Sequence, residues 1–155
     1  MRVLGADHPD TLITRNNLAT WRGKTGERAE AIAAFEALLR DMLRVLGADH
    51  PQTLIARNNL AATRHEAGDA VGAAAEFEEI LADRVRVSGP DHPDTLHSRT
   101  NLAYWRVEAD DLRGAAAAFG ELHAGRVRAL GPGHPDTRSA LASVAGPPSG
   151  HDQNS

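Results

Sequence analysis

Leu46-Gly47-Ala48-Asp49-His50-Pro51-Gln52-Thr53-Leu54 is one of four closely related segments in this chain. The corresponding His-Pro pairs are His8-Pro9, His92-Pro93 and His134-Pro135, and consecutive pairs are separated by 42 residues. A constant period of roughly 20–50 residues is typical of proteins built from stacked structural repeats. We therefore expect a repeat array, which presents a long ridged surface and has no single built-in pocket.

The composition indicates a folded protein and disfavours several classes of partner. The chain has 155 residues, of which 41% are hydrophobic and 25% charged, as is usual for a globular domain. Its net charge of −4 disfavours nucleic acid, and the absence of cysteine excludes disulfides and thiolate metal sites. No apolar run is long enough to span a membrane, and the first residues lack the apolar segment of a signal peptide. We therefore expect a cytoplasmic protein that binds neither nucleic acid nor membranes.

The residues around His50 predict the end of one helix and the start of the next. Gly47 suits the left-handed position just after a helix end, and Pro51 fits the first turn of the following helix. Because the residue before a proline avoids the α region, we expect His50 at the N-cap of that helix. Each His-Pro pair is therefore interpreted as a repeat boundary.

Between two such boundaries, the sequence predicts a pair of antiparallel helices, A and B. In the second repeat, helix A continues to about Glu66, Gly68-Asp69 ends it, and helix B runs from about Ala70 to Val87. The apolar residues of helix B recur at three- and four-residue steps, as an amphipathic helix requires. Because the connection is short, the two helices must be antiparallel.

The period divides residues 1–145 into three full repeats and a partial fourth. These repeats span residues 5–46, 47–88, 89–130 and 131–145. In the third repeat, Asp110 replaces the turn glycine found at Gly26 and Gly68. Residues 146–155 are small and polar, and we expect them to form a disordered tail.

The spacing of small and apolar residues in each repeat resembles the tetratricopeptide repeat. The matching residues are Leu18-Ala19, Gly26, Ala31 and Phe35 in repeat 1, Leu60-Ala61, Gly68, Ala73 and Phe77 in repeat 2, and Leu102-Ala103, Ala115 and Phe119 in repeat 3. The usual period of that family is about 34 residues. The 42-residue period and the Leu-Gly-x-Asp-His-Pro linker resemble the kinesin light chain-type subclass, which is common in actinobacterial proteins. The resemblance implies an all-α helix-turn-helix solenoid that binds a peptide or partner helix in a concave groove lined by helices A.

The resemblance also implies which side chains line that groove. They are the two residues before each Leu-Ala pair of helix A, and the residues one and five positions after it. The set is Asn16, Asn17, Thr20 and Lys24 in repeat 1, Asn58, Asn59, Ala62 and Glu66 in repeat 2, and Thr100, Asn101, Tyr104 and Glu108 in repeat 3. Because Glu66 and Glu108 accompany Lys24, we expect no strong clamp for an acidic tail.

Asn17, Asn59 and Asn101 occupy equivalent positions and support two interpretations. A side-chain amide offers both donors and an acceptor, so a row of them can hold an extended peptide backbone. Alternatively, the amides bond to neighbouring helices and fix the stacking of the repeats. The sequence leaves both roles open.

Arginine occupies two further sets of equivalent positions on helices A. The sets are Arg15, Arg57 and Arg99, and Arg22, Arg64 and Arg106. These arginines could form a basic stripe for an acidic ligand, or salt bridges with helix B through Glu36, Glu78, Asp41 or Asp83. We favour the salt bridges, because a guanidinium near a core interface needs paired carboxylates.

The histidines and hydroxyl residues do not indicate a metal site or a catalytic site. Stacked helices lie about 8–10 Å apart, whereas zinc needs its ligands at about 2 Å. The repeated histidines are therefore interpreted as capping or loop-packing residues, and His65, His97 and His123 as surface residues. Because the chain lacks a Gly-rich phosphate loop, cysteine and a nucleophile-elbow serine, we expect no cofactor, no metal and no enzymatic activity.

Two alternatives to an independent scaffold remain open. Met1-Arg2-Val3-Leu4 matches Leu43-Arg44-Val45-Leu46 at the end of a helix B, so the first helix A would lack a covering neighbour. That pattern fits a piece of a longer array, such as the regulatory or sensor arm of a signalling NTPase or kinase. An uncovered first helix A also favours self-association through the N-terminal end of the array.

Overall fold

Seven α-helices and no strand make up the part of the chain that the computed structural model describes, residues 5–144. The helices are α1 (Pro9–Lys24), α2 (Arg28–Val45), α3 (Pro51–Glu66), α4 (Ala70–Ser88), α5 (Pro93–Glu108), α6 (Leu112–Leu130) and α7 (Pro135–Val144). Odd-numbered helices are the predicted helices A and even-numbered helices are the predicted helices B, so the all-α repeat fold is confirmed. The predicted disordered tail, residues 146–155, lies outside the described residues.

The described residues form two compact units that divide between Asp83 and Arg84. The N-terminal unit contains α1, α2, α3 and most of α4, and the C-terminal unit contains the end of α4 with α5, α6 and α7. None of the helices between residues 5 and 144 combines the length and the apolar character that crossing a membrane requires. Each unit has an apolar core of its own.

The ring of each His-Pro histidine caps the helix that follows it. His8, His50 and His92 have extended backbones at N-cap positions, and proline occupies the first turn, where no backbone donor is needed. In all four copies, including His134, Nδ1 accepts a hydrogen bond of 3.2 Å from the backbone N–H two residues later. The predicted N-cap position of His50 is therefore confirmed. Because Nδ1 is the acceptor, the proton of the neutral ring lies on Nε2.

The core of the N-terminal unit forms where α2 packs against both α1 and α3. Leu12 of α1, Phe35, Leu38 and Met42 of α2, and Leu60 of α3 are buried in one apolar cluster. These side chains follow the three- and four-residue spacing that places them on one face of each helix. Helix α2 therefore fixes the positions of α1 and α3, the two helices A of this unit.

The C-terminal unit uses the same arrangement, with α6 packed against both α5 and α7. Leu96 and Ala103 of α5 meet Phe119 and Leu122 of α6 in its buried cluster. Phe119 and Leu122 occupy the repeat positions of Phe35 and Leu38. The same repeat positions therefore build both cores.

Two polar side chains of α6 join it to α7. Nδ1 of His123 lies 3.1 Å from the carbonyl oxygen of Thr137, and Nη1 of Arg126 donates to the carbonyl oxygen of Asp136 at 2.7 Å. Since a carbonyl can only accept, the His123 ring is the donor. The prediction that His123 is a surface residue is wrong, because this half-buried ring finds its partner on another helix.

Removing the side-chain cap of α3 tests its contribution to stability. His50→Ala deletes the Nδ1 acceptor and should lower the free energy of unfolding by about 0.5–2 kcal/mol. His50→Asn supplies another acceptor at the N-cap and should retain most of that stability. Chemical denaturation followed by circular dichroism measures both variants. An unchanged unfolding midpoint for His50→Ala would contradict the capping role.

Asp110 has the left-handed backbone that glycine adopts in the equivalent turns. Its φ is 60°, compared with 97° at Gly26 and 101° at Gly68. A Cβ in this region adds strain of about 1 kcal/mol that glycine avoids. We expect Asp110→Gly to raise the thermal midpoint, and the matched reverse change Gly68→Asp to lower it. Calorimetry of the two variants checks the prediction, and equal midpoints would contradict it.

Candidate functional site

A recess between α1 and α3 in the N-terminal unit brings together five of the groove positions implied by the resemblance. Its volume is about 230 Å³. The five residues are Thr20 and Lys24 on α1, and Asn59, Ala62 and Glu66 on α3. The two helices A therefore form a shared polar-rimmed surface within this unit.

Three further residues line the recess and were not among the predicted groove positions. The fully buried Phe35 of α2 borders the recess, Gly23 contributes backbone alone, and Thr63 contributes a small polar side chain. A Cβ on Gly23 would come within 3.5 Å of the Thr63 side chain, so the glycine leaves space in the recess. The sequence carries a signal for Gly23, because the equivalent positions hold the larger His65 and Val107.

The amide of Asn59 joins α3 to α1. Its Nδ2 donates to Oδ1 of Asn16 at 3.2 Å and lies 3.5 Å from Oγ1 of Thr20. Asn16 is only 6% exposed. This hydrogen bond fits one of the two interpretations that the sequence left open, in which the amides fix the stacking of the repeats. Neither contact uses Oδ1 of Asn59, which keeps its acceptor capacity.

Opposite charges flank the recess, and each has a partner within the N-terminal unit. Nζ of Lys24 lies 5.2 Å from the ring centroid of Trp21, a cation–π distance. Oε2 of Glu66 lies 3.9 Å from Nε of Arg28, and both side chains are about half exposed. Exposed pairs of this kind are weak, so both charges can exchange partners. One cation and one anion do not form the basic cluster that an acidic tail requires.

The other groove positions of the N-terminal unit lie outside this recess. Asn17 is exposed on α1, and Asn58 is half-buried on α3. Asn17 and Asn59 occupy equivalent positions in their repeats. Of the two, it is Asn59 whose amide donates a hydrogen bond to the other helix A of this unit. Equivalent amides therefore differ in exposure and in partners.

In the C-terminal unit, α5 holds the remaining predicted positions. Tyr104 is exposed, and its ring contacts the Phe119 ring edge-on, with centroids 5.5 Å apart and an interplanar angle of 88°. Oγ1 of Thr100 accepts from Nη2 of Arg126 at 3.3 Å. Asn101 is half-buried and Glu108 is exposed. Tyr104 is therefore an exposed aromatic side chain that is held by the core.

Arg57 of α3 is bound by three carboxylates of α4. Its Nε lies 2.8 Å from Glu76, its Nη1 2.7 Å from Asp83 and its Nη2 3.4 Å from Glu79. Burial lowers the pKa of Arg57, but hydrogen bonds to Glu76 and Asp83 offset this effect and leave the pKa raised. The salt-bridge role predicted for this position is confirmed. Glu76 and Glu79 join the predicted Asp83 because all three lie on one face of α4.

Most of the other repeated arginines are also bound within their own units. Nη1 of Arg15 lies 2.8 Å from Asp41, and Nη2 of Arg64 lies 2.8 Å from Glu36, two of the predicted partners. In the C-terminal unit, Arg99 pairs with Glu121, and Arg106 donates to the carbonyl oxygen of Gly114 at 2.9 Å. Arg22 is exposed, and among residues 5–144 it has no carboxylate within salt-bridge distance.

An arginine–aspartate ion pair that was not predicted from the sequence joins the two ends of repeat 1 and of repeat 3. Nη2 of Arg44 lies 2.6 Å from Oδ1 of Asp7, and Nη2 of Arg128 lies 2.8 Å from Oδ1 of Asp91. These arginine hydrogen bonds lower the pKa of Asp7 and of Asp91 below the ordinary value of 3.8. Both pairs therefore hold at neutral pH and are lost only as the pH falls through the lowered pKa. The two pairs have the same sequence separation, and this regularity could have predicted them from the sequence.

Comparison with protein families identifies the repeat. A family model described as "Tetratricopeptide repeat" matches residues 24–84, and a second model with the same description matches residues 95–136. The two matched segments together cover most of the chain. Comparison with curated proteins gives no match.

Several solved structures have the same fold. The nearly identical TPR-like repeats of a Podosopora anserina protein, named as a kinesin light chain, superpose with a TM-score of 0.74 at 22% identity, covering 89% of this chain and 65% of that one. A point variant of that protein gives 0.75 at 20% identity, with 92% and 66% covered. BtubC (BKLC) from P. vanneervenii gives 0.76 at 18% identity, with 93% and 57% covered. The chain spans less than two thirds of each of these proteins, and identities this low show the fold alone.

A double-mutant cycle tests the bond between Asn16 and Asn59. Asn16→Ala leaves the half-buried Nδ2 of Asn59 with a poorer partner, and each single variant should lose about 1 kcal/mol of unfolding free energy. The double variant should lose less than the sum, with a coupling of about 0.5–1.5 kcal/mol. Urea denaturation measures the three variants. Additive losses would contradict a stacking role for this pair.

Proposed function

Because the chain belongs to the tetratricopeptide repeat family, we propose that it is a protein-interaction scaffold whose helices A bind an extended peptide or a partner helix. Repeats of this family generally mediate protein–protein interaction and are generally non-enzymatic. We place this interaction in the cytoplasm, an assignment favoured by the absence of cysteine. The partner is therefore a polypeptide.

The recess between α1 and α3 is the observation that supports this proposal best. Its volume of about 230 Å³ leaves room for a side chain of a bound peptide. The half-buried Ala62 offers apolar surface, so an apolar side chain that packs against it gains hydrophobic stabilisation. The recess would receive one such side chain of a bound peptide.

The polar rim of the recess would orient the backbone of that peptide. Oδ1 of Asn59 is available to accept a peptide N–H, while the bond to Asn16 holds the amide in place. Lys24 would attract a carboxylate on one side of the apolar anchor, and Glu66 a basic group on the other. We therefore propose a peptide with an apolar anchor and flanking charges of opposite sign.

The proposed contacts extend to the other helix A positions of both units. Asn16 acts by positioning Asn59, and the exposed Tyr104 offers an aromatic contact held by Phe119. The full set is Asn16, Asn17, Thr20, Lys24, Asn58, Asn59 and Glu66 in the N-terminal unit, and Thr100, Asn101, Tyr104 and Glu108 in the C-terminal unit.

Filling the recess tests the proposed function. Peptides selected from a random display library against the intact chain supply the probe, and fluorescence anisotropy measures their dissociation constants. Ala62→Arg places a long side chain in the recess and should weaken binding at least about tenfold, or about 1.4 kcal/mol. Ala33→Arg, at an exposed position of α2 outside the recess, is the matched control and should bind like the wild type.

A library that yields no binder, or binders that Ala62→Arg and Ala33→Arg affect equally, would contradict the proposal. The triple variant of Asn17, Asn59 and Asn101 to Ala provides a second measurement. It should weaken the selected peptides if the amides contact the ligand backbone. Unchanged affinity would restrict these amides to repeat stacking.

A further inference from the structure

Helix α2 shows how a helix B covers the face of a helix A in this chain. Leu60 of α3 is 5% exposed, because it lies in the apolar cluster that contains Phe35 and Leu38 of α2. Four residues after Leu60, Nη2 of Arg64 binds Oε1 of Glu36 on α2 at 2.8 Å. Helix α2 therefore supplies both apolar side chains and a carboxylate to this face of α3.

The same face of α1 is exposed. Leu18, the equivalent of Leu60, is 52% exposed, and the neighbouring Trp21 is 64% exposed. Arg22, the equivalent of Arg64, has no carboxylate within salt-bridge distance among residues 5–144. In the α2–α3 interface, both the apolar residue and the arginine at these positions have partners.

Two differences between repeat 1 and repeat 2 leave this face of α1 less covered. Arg57 of α3 binds Glu76 and Glu79, whereas the positions equivalent to these glutamates in repeat 1 are Ala34 and Ala37. The result is a recess of about 160 Å³ lined by Arg15, Leu18, Ala19, Arg22, Ala34 and Ala37. Within the part of the chain that the structure describes, Arg15 retains the single salt bridge to Asp41.

We use the name end surface for the region formed by six residues. They are Arg15, Leu18, Trp21 and Arg22 of α1, and Ala34 and Ala37 of α2. It shares no residue with the recess between α1 and α3. At 3.6 residues per turn, Leu18 and Arg22 lie on roughly the opposite side of α1 from Thr20 and Lys24. The end surface is therefore distinct from the surface proposed for peptide binding.

We propose that the end surface binds an amphipathic helix of a partner protein that places a carboxylate opposite Arg22, with the chemistry that α2 presents to α3. Apolar side chains of that helix would cover Leu18 and Trp21 and enter the recess between Ala34 and Ala37. A carboxylate would pair with Arg22, as Glu36 pairs with Arg64. The charge complementarity selects a helix with a carboxylate at that position, because the surface offers two guanidinium groups and, among the residues that the structure describes, Asp41 supplies the one carboxylate paired with them.

A peptide copy of α2 is the probe for this proposal. A dye-labelled, end-capped peptide of residues 28–46 is titrated with the full chain, and anisotropy measures binding. Arg22→Glu should weaken binding at least about tenfold, because it replaces an ion pair with a like-charge contact. Arg138→Glu, an equal charge change at an exposed position of α7, is the matched control and should have no effect.

A charge exchange distinguishes a specific pair from general attraction. A peptide with Glu36→Arg should bind the wild-type chain weakly and the Arg22→Glu chain nearly as tightly as the original pair. Leu18→Asp should abolish binding of both peptides. Because Leu18 and Arg22 are exposed, these variants should keep the wild-type thermal midpoint, which confirms that they fold.

Three results would overturn the proposal. They are no saturable binding of the α2 peptide, equal binding by the Arg22→Glu and Arg138→Glu chains, and failure of the charge exchange to restore affinity. Light scattering of the chain alone tests a different occupant. Association that Leu18→Asp abolishes would assign the end surface to a second copy instead.

Discussion

The packing of α2 against two helices at once is the contact on which the N-terminal unit depends. Phe35 and Leu38 are fully buried and belong to the same cluster as Leu12 of α1 and Leu60 of α3. Aromatic residues make up only 4% of the chain, so few large side chains are available for such a cluster. Isolated helices of this length are marginal in water, and shared burial supplies most of their stability. The recess between α1 and α3 exists because α2 holds both helices in place.

Charge pairing specifies how the helices fit together around that contact. Among the described residues, Arg57 has three carboxylate partners, while the equivalent Arg15 has one. A half-buried guanidinium requires such partners, and substitution of the glutamates by Ala34 and Ala37 removes two of them. The same arginine position therefore serves as a structural clamp in repeat 2 and as part of an open surface in repeat 1. Sequence identity between repeats hides this difference, which lies in helix B.

The repeat architecture could be predicted from sequence because its signals are local. The proline after His50 and the glycine at 47 define a helix start and a helix end within a few residues, and their 42-residue period gives the order of the helices. The contact between Asn16 and Asn59 could not be predicted, since it depends on how α1 and α3 rotate against each other. The partner of His123 was missed for the same reason, because it lies on another helix. Five of the predicted groove positions lie together in the recess, whereas Gly23, Phe35 and Thr63 were not among the predicted positions.

The four histidine caps have a consequence for how the chain folds. Each cap bonds a backbone N–H only two residues away, so it can form before any contact between repeats exists. Contacts of such short sequence separation close quickly, and arrays of repeats can nucleate at any unit. Each helix A therefore carries its own starting point for folding. Synthesis of the chain can add ordered repeats one after another, without waiting for its last residues.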